Sequence, residues 1–248
     1  MRTFLFLSFF VMVELFCFGQ APQLRVYTDT LRARKIPVAV YHPEQVKAKP
    51  NGQIMLFSHG YSSNDTSSYQ CYHYLGNALS AKGFRVYSIQ HELKTDSLMP
   101  LKGDVWTVRK PFWDRGVENI LFIASQLMKE HTGLRKFILG GHSQGGDMSA
   151  LFATRFPEFT AALFTLDHRR VPLPLSGKFP ILSIRSSDQH ADAGVLPDKK
   201  QGDSLNIRIV KSAITHNDMD VTGAKKQHQF LIKTILHFLQ SNPHGKPE

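Results

Sequence analysis

Phe137-Ile-Leu-Gly-Gly141-His-Ser143-Gln-Gly145-Gly146 runs from an apolar strand, through a G-x-S-x-G turn, into a helical segment that reaches Arg155. That setting of strand, tight turn and helix gives the motif its chemical meaning. The turn forces Ser143 into a strained backbone with its hydroxyl raised above the sheet. Side chains two positions to either side would collide, which accounts for Gly141 and Gly145. The helix that starts behind Ser143 turns free N–H groups and its positive end towards any negative charge that develops there.

Outward from this turn, strand-like and helix-like segments alternate. Arg25–Tyr27 and Ile36–Tyr41 read as an antiparallel pair, and Ile54–Ser58 reads as a strand buried on both faces. Ser67–Lys82 is predicted helical, Phe84–Gln90 a strand, and Phe112–Glu130 a helix with one apolar stripe. Phe137–Leu139, Ala162–Leu166, Ile181–Arg185 and Leu205–Val210 are further strands, followed by a C-terminal helix. The alternation implies a mostly parallel sheet with helices on both faces. The expected organisation is a single domain over residues 20–248.

A serine hydroxyl is a weak nucleophile until a base takes its proton. Of the 12 histidines, His216 is the candidate, because it follows the last predicted strand and precedes the C-terminal helix. His228 and His237 fall inside that helix and read as structural. Charge that develops on a carbonyl oxygen needs two donors. These are expected to be the N–H of Gln144, directly after Ser143, and the N–H of Tyr61, which Gly60 lets turn inward after the Ile54–Ser58 strand.

The segments Leu56-Phe-Ser-His-Gly60-Tyr61, Leu79 through Glu92, Gly141 through Gly146 and Leu166-Asp167 together resemble the α/β-hydrolases. The resemblance is to the dienelactone hydrolase, platelet-activating-factor acetylhydrolase and chlorophyllase kind of serine esterase. It implies the α/β-hydrolase fold and hydrolysis of short acyl or carboxylic esters through an acyl-enzyme, with neither metal nor organic cofactor. The third catalytic group stays open. Most of the fold places its acid after the seventh strand, where Asp188 stands first and Asp192 follows. The acetylhydrolase branch points instead to the end of the sixth strand, where this chain has Asp167. Between Asp167 and Ile181 there is no room for a large cap domain. Leu93–Trp113, with Trp106, Phe112 and Trp113, either lines the acyl pocket or anchors a loop to the core. His168-Arg169-Arg170 either attracts an acidic substrate or pairs with loop carboxylates.

The chain has 248 residues, 42% of them hydrophobic, which excludes a disordered or fibrous protein. Its 30 basic against 20 acidic residues give +10, but no basic run exceeds two residues, so nucleic acid is not an expected partner. The charge leaves one alternative: a non-catalytic binding protein on a hydrolase fold that docks an anionic surface polymer. Residues 1–19 read as a secretory signal, with Arg2, a short apolar core and small Gly19 near the cleavage point. Glu14 interrupts the apolar run before the ~20 residues of a membrane span. Export to the periplasm or medium, without stable membrane insertion, is therefore expected. Cleavage would leave Cys71 alone, with no disulfide to form.

Overall fold

A computed structural model describes residues 20–242. The expected signal segment lies outside them. Eight strands form one sheet: β1 (Gln23–Asp29), β2 (Arg34–Tyr41), β3 (Ile54–Ser58), β4 (Arg85–Ile89), β5 (Phe137–His142), β6 (Thr160–Leu166), β7 (Ile181–Arg185) and β8 (Ile207–Lys211). The order is β1-β2-β4-β3-β5-β6-β7-β8. Pairs β1/β2 and β2/β4 are antiparallel, and every later pair is parallel. Among the described residues, five α-helices flank it: α1 (His73–Ser80), α2 (Val105–Glu130), α3 (Gln144–Arg155), α4 (Lys199–Ser204) and α5 (Lys225–Ser241).

The central strands are buried along their whole length, as parallel strands covered on both faces must be. Successive side chains alternate between two cores. Ile54 and Leu56 of β3 join Phe137, Leu139 and the α2 residues Val117, Ile120 and Leu127 on one face. Met55 and Phe57 join Ile138, Leu75 of α1 and Leu231, Ile235 and Phe238 of α5 on the other.

Several elements differ from the sequence expectation: α4 has no counterpart in it, β5 runs on past Leu139 to His142, and two helical segments have other bounds. Helix α2 begins at Val105, seven residues earlier than Phe112, and carries Pro111 within it. Proline lacks an N–H and crowds the carbonyl four residues back, so it reads as a helix start. Here Asp104 caps the helix instead, accepting from the Thr107 N–H at 2.8 Å. The second half of Leu93–Trp113 is therefore helix. Trp113 is fully buried, and Trp106 packs edge-on against it at 5.2 Å. The Ser67–Lys82 segment divides into a single 3-10 turn at Ser68–Gln70 and then α1.

Parallel strands give the sheet two chemically different ends. The loops after β5, β6 and β8 gather at the C-terminal end. A cleft of about 700 Å³ opens at the opposite end, where Ile54, Arg85, Ile138 and Thr160 sit at or near the starts of their strands and Arg135, Lys136 and Lys178 add charge.

Candidate active site

Strand β5 ends at His142 and α3 starts at Gln144, so Ser143 alone makes the turn, at φ 51° and ψ −122°. A residue with a Cβ rarely adopts that conformation. The Ser143 N–H is fixed by the Leu166 carbonyl at 2.8 Å. The flanking glycines are steric requirements. A Cβ on Gly145 would lie 2.2 Å from the Ser58 carbonyl oxygen, and one on Gly141 would lie 2.3 Å from the Gly145 oxygen. The helix thus starts in contact with the end of β3. Gln144, buried, is its first residue, and the first N–H groups of a helix have no acceptor within it.

His216 stands in the loop between β8 and α5. Its Nε2 is 3.0 Å from the Ser143 Oγ, and its Nδ1 is 2.5 Å from the Asp167 Oδ2. One tautomer of the neutral ring serves both contacts: Nδ1–H donates to the carboxylate, and Nε2 accepts from the serine hydroxyl.

Asp167 directly follows β6, at φ 49°, and its own N–H donates to the Ile184 carbonyl at 2.8 Å. The side chain is wholly buried. Its oxygens accept from the Ser186 N–H at 3.0 Å and the Ser186 hydroxyl at 2.9 Å, and Arg185 pairs with Oδ1 at 2.7 Å. Burial alone would raise this carboxyl. The hydrogen bond from His216, the Arg185 charge and the Ser186 donors outweigh it and hold the group down at about 2.

Asp188, placed first by its position after β7, does not reach the imidazole. The Ser186 turn that binds Asp167 carries Asp188 outward to an exposed position, where its Oδ1 accepts from the backbone N–H of His216 at 2.7 Å. Asp192 pairs with Arg170 at 2.5 Å. Arg169 bonds Gln189. The His168-Arg169-Arg170 segment is pinned from below, because the N–H groups of Arg169, Arg170 and Val171 all donate to Asp147 Oδ1 of α3. His168 is completely buried. Burial pushes the Asp147 carboxyl up to about 6 in spite of those three donors.

The loop after β3 lies against the nucleophile: a Cβ on Gly60 would be 3.3 Å from the Ser143 Cβ. Tyr61 follows, half-buried. Beyond it, Glu92 accepts from the N–H groups of Ser62 at 3.2 Å and Asn64 at 3.1 Å, and burial raises its carboxyl. Asp147, Glu92 and Arg185 were not assigned site roles from the sequence, since nothing in their spacing separates a buried brace from a surface charge. His228, read as structural, stacks on Tyr74 at 3.8 Å.

No protein-family profile matches the chain, and no curated protein matches it in sequence. Solved structures do match. Dienelactone hydrolase from Anabaena variabilis is 17% identical, with a TM-score of 0.59 over 90% of this chain and 99% of that one. Thermogutta terrifontis esterase 2, in a form phosphoramylated by tabun, is 9% identical with a TM-score of 0.62 over 93% and 98%. An α/β serine hydrolase homologue from Coxiella burnetii is 14% identical with a TM-score of 0.55 over 87% and 98%. The chain has the α/β-hydrolase fold.

Proposed function

We propose that the protein is a serine hydrolase that cleaves carboxylic esters through a Ser143–His216–Asp167 triad. The observation that carries this reading is the continuous contact from Ser143 Oγ through the imidazole to a buried, ionised Asp167, at 3.0 Å and 2.5 Å. His216 removes the hydroxyl proton as Ser143 attacks the ester carbonyl. The N–H groups of Tyr61 and Gln144 take the charge that builds on the carbonyl oxygen. The imidazolium is stabilised by Asp167 and returns its proton to the departing alcohol, leaving an acyl-serine. Water then repeats the sequence, with His216 again as base, and releases the acid. The esterase and hydrolase names among the structural matches support this class of reaction, and the resemblance noted in the sequence favours short acyl groups.

Residues 20–248 act as one domain in this reading, and the signal-like residues 1–19 direct export. The test is hydrolysis of a p-nitrophenyl ester series from acetyl upward, alongside labelling by a fluorophosphonate. The expected result is activity and labelling in the parent chain and loss of both in Ser143→Ala. A parent chain that neither hydrolyses these esters nor labels would favour the non-catalytic polymer-binding alternative.

A further inference from the structure

Two buried residues beside the triad connect segments that are distant in the chain. His142, 5% exposed, directly precedes Ser143, and Tyr72, also 5% exposed, precedes α1. The His142 Nε2 lies 3.0 Å from the main-chain carbonyl of His216, and its Nδ1 lies 2.7 Å from the Tyr72 hydroxyl. That hydroxyl is in turn 3.4 Å from the N–H of Gly60, in the loop that carries Tyr61.

The donors in this chain can be assigned without ambiguity. A carbonyl only accepts, so His142 Nε2 carries the proton and donates to His216. In the neutral ring Nδ1 is then an acceptor, and Tyr72 O–H donates to it. The remaining lone pairs of the hydroxyl receive the Gly60 N–H. Burial, followed by the neighbouring His216, pushes the His142 imidazole down to about 3, which keeps it in this neutral form at ordinary pH. An apolar side chain would fill the same space without desolvating a polar ring. What the histidine adds is a fixed distance to the backbone of the residue that moves the proton.

We infer that Tyr72 and His142 are positioning residues, which tie the oxyanion loop and the His216 loop to the nucleophile turn through one line of hydrogen bonds. The inference rests on the hydrolase reading above. Neither side chain touches the reacting atoms. Tyr72 fixes where the Gly60–Tyr61 backbone stands, and His142 fixes how far the His216 loop is from Ser143. Their loss should therefore slow the chemical step and leave ester binding alone.

The test compares the parent chain with Tyr72→Phe, His142→Leu and His142→Gln. It measures kcat and KM on a p-nitrophenyl ester, the fluorophosphonate labelling rate, and the His142 tautomer from ring ¹H–¹⁵N correlations. Tyr72→Phe keeps the ring contact with Phe57, at 4.7 Å between centroids, and loses only the hydroxyl. It and His142→Leu are expected to label about tenfold more slowly and to lose kcat at unchanged KM. His142→Gln keeps an N–H near the Nε2 position and should recover most of the loss seen with Leu. Parental rates in Tyr72→Phe, equal losses in Gln and Leu, or a His142 proton on Nδ1 would each overturn the inference. If the Leu variant fails to fold, Tyr72→Phe and the tautomer still decide. A parent chain that does not label at all refutes the hydrolase reading, and the tautomer then tests the bridge by itself.

Discussion

Asp167 is enclosed on every side, and each of its neighbours favours the charged form. Its carboxyl sits at about 2 against an ordinary 3.8. A carboxyl depressed by folding stabilises the protein above its unfolded value, and that stability is lost as pH falls through the folded value. Asp167 should therefore contribute about 2 kcal/mol above pH 3.8 and lose it between pH 3.8 and 2. Comparing acid unfolding of the parent chain with Asp167→Asn would reveal this step. In ester hydrolysis, Asp167→Asn should cost about 10³–10⁴ in kcat, since an amide cannot stabilise the imidazolium. Asp188→Asn keeps an oxygen to accept the His216 N–H and should stay within a few-fold of the parent. If the two losses came out reversed, the acid would be reassigned to Asp188. Ser143 and His216 could be named from the sequence because each has a mark: a glycine-flanked turn for one, a place after the last strand for the other. The acid had no such mark. Asp167, Asp188 and Asp192 all lie in loops at the same end of the sheet, and what separates them is that β6 lies beside β5 and that Arg185 and Ser186 turn inward onto Asp167.

Helix α3 works as an anchor at both ends of its first turn. Gly145 lets it touch the carbonyls of Ser58 and His59, at 2.2 Å and 2.4 Å from where a Cβ would be. Backbone cannot yield as a flexible side chain does. Gly145→Ala should cost more than about 3 kcal/mol, read as a fall in the urea midpoint, and displace the Gln144 N–H with it. Two residues on, Asp147 holds the 169–171 segment. Its carboxyl is raised to about 6, so folding favours the protonated form, and the protein loses stability as pH climbs from 3.8 to 6. Asn keeps the accepting oxygen for three N–H groups without the buried charge. Asp147→Asn should match the parent below pH 3.8 and exceed it above pH 6 by on the order of 3 kcal/mol, measured by unfolding at both pH values. An advantage that does not change with pH would overturn that account. At this scale the strands could be read from their apolar runs, and Ile181–Arg185 matches the expected span residue for residue. The first two turns of α2 could not, because Pro111 is a helix-breaker in sequence, yet the helix starts ahead of it at the Asp104 cap and runs through it.

Across the whole molecule, the parallel sheet does the assembling. Strands β5 and β6 are neighbours, so the residues that follow them, Ser143 and Asp167, arrive side by side although 24 positions separate them. His216 closes over both from beyond β8. Alternating strands and helices made a mostly parallel sheet covered on both faces readable from patterning, while the α/β-hydrolase fold came with the resemblance carried by the serine turn and its companion segments. The braces were legible in neither, because Glu92, Asp147, Tyr72 and His142 acquire their meaning only from what surrounds them. The site also demands a backbone that L-residues avoid, at Ser143 and again at Asp167. Glycine adopts the Ser143 conformation freely, so Ser143→Gly should raise the melting temperature by about 2–4 °C while ending turnover. Heat and function then select in opposite directions at this codon. Under the proposed hydrolysis, a population of variants screened only for surviving heat would accumulate sturdy, silent copies, and only a screen for turnover would hold serine at position 143.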